Sequence, residues 1–141
     1  MLKRLLVAAM ATTLAAGIGY ADRSKPTLTI RIDKTAPTDG KQMYTNYCAP
    51  CHGANGTGHG TYAPALKTPP TDLTALSRNN RGKFPDTHLM NVLQLGPELP
   101  HGTAEMPVWG PILGKMNRTN GQETLIRMSI LTSYLQTLQA K

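Results

Sequence analysis

Both cysteines of the chain fall in one pentapeptide, Cys48-Ala49-Pro50-Cys51-His52. Two thiols separated by two residues are presented by a single turn of backbone, and the histidine that follows places an imidazole beside them. This Cys-x-x-Cys-His spacing is the signature of c-type haem attachment, in which the thiols add to the two vinyl groups of the porphyrin. Histidine is a usual proximal ligand of haem iron. The motif therefore predicts one covalent haem c, bound through Cys48 and Cys51 and ligated by His52.

Three other uses of these residues compete with haem attachment. A thioredoxin-like redox pair has the same cysteine spacing, but it belongs in a βαβ context that the sequence does not predict. A structural zinc site needs four ligands, and adding His59 to the motif gives none of the usual spacings. A disulfide between the two cysteines would close a very short, strained loop. The complete five-residue signature favours haem, with the redox pair as the next interpretation.

The N-terminus has the layout of an export signal. Lys3 and Arg4 precede an apolar run from Leu5 to about Ile18, and small residues follow up to Ala21. This order predicts a signal peptide over 1–21, cleaved near Ala21, and a periplasmic protein. An uncleaved membrane anchor is the alternative, although the run is short for a spanning helix of about 20 residues. Bacteria attach haem covalently outside the cytoplasmic membrane, so the export signal and the haem motif agree.

The charge and composition restrict the partners and the core. The formal net charge is +7, and a basic surface of this kind can steer a protein toward an acidic redox partner, with Lys67 and Lys115 as candidate contacts. Nucleic acid is not expected, because the cations are scattered singly without interleaved aromatics. Membrane association is expected only through partners or an uncleaved N-terminus. Aromatic residues make up 5% of the chain, so a buried porphyrin would supply much of the apolar core.

The pattern along the chain predicts an all-α domain over 39–141, after a polar lead-in or tether over 22–38 in which 27–32 alternates like a short strand. Helices are expected over 39–50, 71–79, 85–95 and from Asn120 to near the C-terminus, with loops at 53–70 and 96–119. The expected caps are Thr38 or Asp39, Thr71, and Asn120 with Glu123, and Gly96 is expected to end the third helix.

Met106 is the best candidate for the ligand opposite His52. A thioether is a soft, neutral ligand that favours reduced iron. Pro107 pushes Met106 toward extended backbone, which suits a loop that holds a sulfur against the porphyrin. The rival ligands are His59, His88 and His101. A vacant sixth position would instead indicate gas binding or peroxidase chemistry.

Taken together, these residues resemble class I cytochrome c, a family of small exported monohaem proteins. The resemblance covers most of the chain from about Gly40: the segment Gly40–Tyr47 that leads into the haem motif, the segment Met106–Gly110, and the terminal amphipathic helix. It implies an all-α, cytochrome c-like fold of about four helices around one haem. It also implies that the first and last helices cross, with contacts at Gly40, at Tyr44 and around Tyr134.

The same resemblance assigns the ligand set and its surroundings. Cys48 and Cys51 would bind the haem, with His52 and Met106 as axial ligands. Many members use a proline carbonyl to accept the imidazole N–H, and Pro64 is the nearest counterpart here, although Ala63 precedes it where the family usually has glycine. Trp109 would either donate its indole N–H to a propionate or pack over the porphyrin edge.

The sequence therefore predicts a monohaem electron-transfer protein and not an enzyme, with iron that cycles between Fe(III) and Fe(II). Its redox partner proteins, the electron donor and acceptor, are not identified by the sequence. Two alternatives stay open: a haem c subunit of a larger respiratory or dehydrogenase complex, and a haem enzyme or gas sensor with a labile sixth ligand.

Overall fold

The structure, a computed structural model, describes residues 35–36, 38–96, 105–116 and 121–140. These residues form five helices and contain no strand, which confirms the predicted all-α class. The strand considered at 27–32 and the N-terminal segment 1–21 lie outside the described residues. Within the described ranges, no helix combines the length and apolar character needed to cross a bilayer.

The first helix, α1, runs without a break from Gly40 to His52 and ends with the Cys-x-x-Cys-His motif. It consists of α-helical Gly40–Met43, π-helical Tyr44–Cys48 and α-helical Ala49–His52. Asp39 caps its start, as one of the two predicted caps, by accepting a hydrogen bond from Gln42 N at 2.8 Å. Its end is fixed by Gly53, whose φ of 82° is a conformation that glycine adopts without steric cost.

The glycine-rich loop after α1 folds back over the end of that helix. Its amides donate to three motif carbonyls: Gly58 N to His52 O, Gly60 N to Cys51 O, and Tyr62 N to Pro50 O, all within 2.9 Å. A Cβ on Gly60 would overlap the carbonyl oxygen of Pro50, so only glycine allows this approach. The predicted loop at 53–70 is thus hydrogen-bonded to the end of α1, and it contains one short 3₁₀ turn, Ala63–Ala65.

Two helices follow close to their predicted positions. The expected helix at 71–79 is a 3₁₀ turn, Leu73–Ala75, followed by α2, Leu76–Asn79. The prediction that Thr71 caps this helix is wrong. The cap is Asp72, whose carboxylate accepts a hydrogen bond from Thr74 N at 2.9 Å. The next helix, α3, spans Asp86–Leu95 and ends as predicted at Gly96, whose φ is 90°.

The loop predicted over 96–119 contains a helix that sequence reasoning missed. This helix, α4, spans Trp109–Met116. Gly110, Pro111 and Gly114 are residues that disfavour a helix interior, but Pro111 lies in the first turn, where a backbone N–H has no partner to lose. A Cβ on Gly110 would approach Gln94 O to 2.8 Å, so the glycine lets α4 pack closely against α3.

The last helix, α5, spans Gly121–Thr137 and crosses α1. The sequence predicts an apolar stripe on this helix, formed by Leu125, Met128, Leu131, Leu135 and Leu138. Met128, Leu131 and Leu135 are buried, whereas Leu125 is 49% exposed. The crossing is where the resemblance placed it: a Cβ on Gly40 would meet Ile130 O at 2.7 Å, and the rings of Tyr44 and Tyr134 are 5.4 Å apart. The predicted cap, Asn120, lies outside the described residues.

A buried arginine ties the segment before α1 to the helical core. Arg127 of α5 is 2% exposed and donates to Thr35 O at 2.8 Å and to Glu123 Oε1 at 3.0 Å. Thr35 is itself buried, and its hydroxyl lies 2.8 Å from the Tyr47 hydroxyl. The lead-in predicted over 22–38 is therefore docked on the domain at Thr35.

Candidate functional site

A cavity of about 680 Å³ lies between α1, the loop at 66–73, α3 and the segment that leads into α4. Its volume falls within the roughly 300–1,000 Å³ typical of cofactor sites. The lining is mainly apolar, with Leu73, Leu89 and Leu93 among its walls. All four residues predicted to hold the haem and its iron line this one cavity: Cys48, Cys51, His52 and Met106.

The two cysteines enter the cavity from the C-terminal half of α1. Cys48 is the last residue of the π-helical segment and is 8% exposed, while Cys51 is half-buried one turn later. Neither forms a disulfide. Burial, with a smaller contribution from Cys51, raises the pKa of the Cys48 thiol to about 12, and burial also raises the pKa of Cys51.

These thiols do not have the properties of the alternatives weighed for them. Redox-active Cys-x-x-Cys pairs work through a thiol whose pKa is lowered, but here burial raises the pKa of both Cys48 and Cys51. In the part of the chain that the structure describes, no three His, Cys, Asp or Glu residues come together to hold a metal, so the zinc alternative finds no ligand set there.

The imidazole of His52 is oriented by a backbone carbonyl. Its Nδ1 lies 2.9 Å from Thr71 O, and because a carbonyl only accepts, Nδ1 carries the proton. Burial lowers the pKa of His52, opposed by the hydrogen bond to Thr71, so the neutral ring is favoured. The lone pair is then on Nε2, which is the arrangement a metal-ligating histidine needs.

The hydrogen bond of His52 corrects the role predicted for Pro64. Pro64 lies in the 3₁₀ turn Ala63–Ala65, and the carbonyl that accepts from the imidazole belongs to Thr71, which follows Pro69 and Pro70. Nor is Pro64 among the residues that line the cavity. Sequence reasoning had no signal for Thr71, because every residue has a carbonyl and only the path of the loop decides which one meets the ring.

Met106 and Trp109 come from the segment that enters α4. Both line the cavity, and Trp109 is 3% exposed. The indole stacks on the Tyr47 ring, with centroids 5.4 Å apart and planes 29° apart. Tyr47 of α1 also lines the cavity, and nothing in the sequence indicates its contact with Trp109. The two stacked rings form an aromatic part of the lining of the cavity that Met106 also lines.

The rival histidines differ in position. His88 of α3 also lines the cavity, although it is largely exposed. His59 lies in the loop after α1, where its Nδ1 is 3.3 Å from the Thr57 hydroxyl. His101 lies outside the described residues.

The chemistry of the donors in this cavity fits a haem c. It offers two thiols one helical turn apart, a neutral imidazole with a fixed tautomer, a thioether, and apolar walls. Imidazole nitrogen and thioether sulfur are the axial pair of electron-transferring haem proteins. Cys48 and Cys51 are placed to carry the porphyrin, with His52 and Met106 as the residues that would ligate the iron.

Comparison with known proteins agrees with this fit. The family model described as Cytochrome c matches residues 37–97, a segment that contains all of α1, the loop that follows it and α3. The match ends before Met106, so it bears on the attachment motif and not on the sixth ligand. The comparison with curated proteins gave no match. Residues 37–97 are thus similar to the cytochrome c family, whose cofactor is a covalently attached haem c.

Proposed function

We propose that this chain is a monohaem electron carrier that works outside the cytoplasmic membrane, with His52 and Met106 as the two axial ligands and Cys48 and Cys51 as the attachment points. The match of residues 37–97 to the Cytochrome c family model supports a c-type haem electron-transfer protein. The observation that carries the finer proposal is that all four side chains line the same cavity, three from α1 and the fourth from the segment before α4.

The residues around the cavity have separate tasks in this proposal. The bound haem supplies a one-electron couple between Fe(III) and Fe(II). Thr71 O fixes the tautomer and orientation of His52, so Nε2 carries the lone pair that would bind the iron. The thioether of Met106 favours the reduced state, and the apolar walls limit water, which also raises the potential. The chain binds and orients; it transforms no substrate.

A basic segment at the cavity, formed by the end of α2 and the residues after it, is the proposed contact for an acidic redox partner. Arg78, Arg81 and Lys83 are exposed, and the intervening Asn79 and Asn80 line the cavity. Positive charge at this position would steer a negatively charged partner toward the porphyrin edge. Lys67, also exposed, lies between the cavity-lining residues Leu66 and Thr68, whereas Lys115 is exposed on α4. Partner reduction rates should therefore fall as ionic strength rises.

The proposed location is supported by residues 1–21, whose basic start, apolar run and small residues resemble a signal peptide. Mass spectrometry of the purified protein tests this, because cleavage near Ala21 predicts an N-terminus at Asp22. A retained apolar segment would favour the alternative of a membrane-anchored haem subunit.

Two measurements on the holoprotein test the proposed function: a redox titration, and addition of carbon monoxide to the ferrous protein. We expect one reversible one-electron step and no carbon monoxide binding to the ferrous protein at neutral pH, because both axial positions are held. Rapid carbon monoxide binding would contradict stable Met106 ligation and favour the gas sensor or haem enzyme. Co-purification with large membrane proteins would favour the subunit of a complex.

A further inference from the structure

A carboxylate immediately before Met106 bridges two separate loops of the cavity. Both oxygens of Glu105 lie 3.1 Å from the backbone N of Lys67, which is distant in sequence. Glu105 and Leu66 line the cavity, as does the rest of the loop from Thr68 to Thr71. This loop also provides the carbonyl that orients His52. One short loop thus contacts both predicted axial ligands, His52 directly and Met106 through its neighbour.

On its other side, Met106 is followed by a firmly packed segment. Trp109 is buried and stacks on Tyr47. Gly110 lies so close to Gln94 of α3 that a Cβ would come within 2.8 Å of its carbonyl oxygen. Met106 therefore lies between two anchors: helix packing at Trp109 and Gly110 after it, and the Glu105 hydrogen bond before it.

We propose that Glu105 is a positioning residue for the sixth ligand: by accepting the Lys67 N–H, it holds the Met106 segment against the loop at 66–71 and resists displacement of the thioether from the iron. This inference rests on the proposed ligation by Met106. Hydrogen bonds from an amide to an ionised carboxylate are about twice as strong as neutral ones. Without this bond, Met106 is held through Trp109 and Gly110 and swings away from the iron more readily.

Displacement of Met106 by added imidazole, followed in the ferric holoprotein, tests the proposal. In Glu105→Ala we expect imidazole to bind about tenfold more tightly than in the wild type, the change expected for loss of one hydrogen bond to a charged group. Glu105→Gln keeps one acceptor oxygen and should fall between the two. Asp86→Asn removes the same charge from an exposed residue of α3 and should match the wild type.

A second pair of variants removes the donor instead of the acceptor. Lys67→Pro deletes the backbone N–H, whereas Lys67→Ala keeps it and removes only the exposed side chain. Leu66 already has φ −85° and ψ 146°, the extended conformation preferred before proline, so the proline should be accommodated. We expect Lys67→Pro to bind imidazole as Glu105→Ala does, and Lys67→Ala to bind imidazole with the affinity of the wild type. This pair decides the question if Glu105→Ala does not fold.

The near-infrared sulfur-to-iron(III) charge-transfer band distinguishes failure of the proposed Met106 ligation from failure of the positioning role of Glu105. A wild-type protein without this band overturns Met106 ligation and this inference together. A wild-type protein with the band, whose Glu105→Ala and Lys67→Pro variants bind imidazole no more tightly, overturns the role of Glu105 alone. A merely structural role for Glu105 would lower the unfolding temperature while leaving the imidazole affinity and the band unchanged.

Discussion

Replacing Gly40 by alanine should loosen the crossing of α1 on α5. The added Cβ would lie 2.7 Å from Ile130 O and 2.9 Å from Tyr134 Cβ, closer than real Cβ atoms approach other atoms. Neither neighbour is the flexible end of a side chain, since one is backbone and the other is attached directly to it. The helices must therefore move apart, and with them the Tyr44–Tyr134 contact at 5.4 Å.

The size of the effect follows from two opposing contributions. Overpacking a well-packed contact costs about 1–3 kcal/mol. Alanine gains up to about 1 kcal/mol over glycine in a helix interior, and less at the first helical residue, where Gly40 lies. We expect a net loss of about 2 kcal/mol in the free energy of unfolding. For a domain of about 100 residues this corresponds to a fall of about 10 °C in Tm.

Gly121→Ala is the matched control, because Gly121 also begins a helix but has no atom within 4 Å of the position its Cβ would take. This variant should be as stable as the wild type or slightly more stable. Thermal and denaturant unfolding of both holoproteins, followed by far-UV circular dichroism, provides the comparison. If Gly40→Ala unfolded at the same temperature as Gly121→Ala, the close crossing described here would be wrong.

Three further predictions follow from buried or capped groups. Arg127→Met should lower the free energy of unfolding by about 3 kcal/mol in denaturant titrations and Arg127→Lys by less, because the guanidinium is 2% exposed and hydrogen-bonded. Asp72→Ala should cost about 1 kcal/mol at neutral pH. Hydrogen bonds from Thr74 lower the pKa of Asp72 in the folded protein. The stabilisation by Asp72 is therefore present above the ordinary carboxyl pKa of about 3.9 and is lost as the pH falls through the folded pKa. Unfolding titrations should show a smaller stability difference between Asp72→Ala and the wild type at acidic pH than at neutral pH. The double variant Cys48→Ala, Cys51→Ala should be largely unfolded by circular dichroism when isolated without haem, because the mainly apolar lining of the cavity would then lose its porphyrin contacts and face water.

Local signals in the sequence were sufficient to predict helix ends that are set by a capping side chain or a terminating glycine. Asp39 caps α1 through a side-chain bond three residues away, and Gly96 ends α3 with a positive φ. The same reasoning failed at α4, where Gly110 and Pro111 resemble a loop. Packing against α3 requires that glycine, and the first helical turn tolerates the proline, so tertiary contacts decide this helix and the local composition does not.

The candidate site divides in the same way. The residues that the haem chemistry itself demands, Cys48, Cys51 and His52, follow from covalent spacing alone. The groups that orient the side chains of the site are backbone atoms brought together by the fold. The Thr71 carbonyl orients His52, and the Lys67 amide holds Glu105. Backbone groups have no sequence signature, so the family resemblance indicates Pro64 whereas the loop presents the carbonyl of Thr71.

Mass spectrometry of a proteolytic peptide that contains residues 48–52 is the most direct test of the account. We expect this peptide from the native protein to retain the added mass of one haem after denaturation and acid–organic extraction, and neither cysteine to react with a thiol reagent. A peptide of unmodified mass, with Cys48 and Cys51 as free thiols or joined to each other, would contradict it.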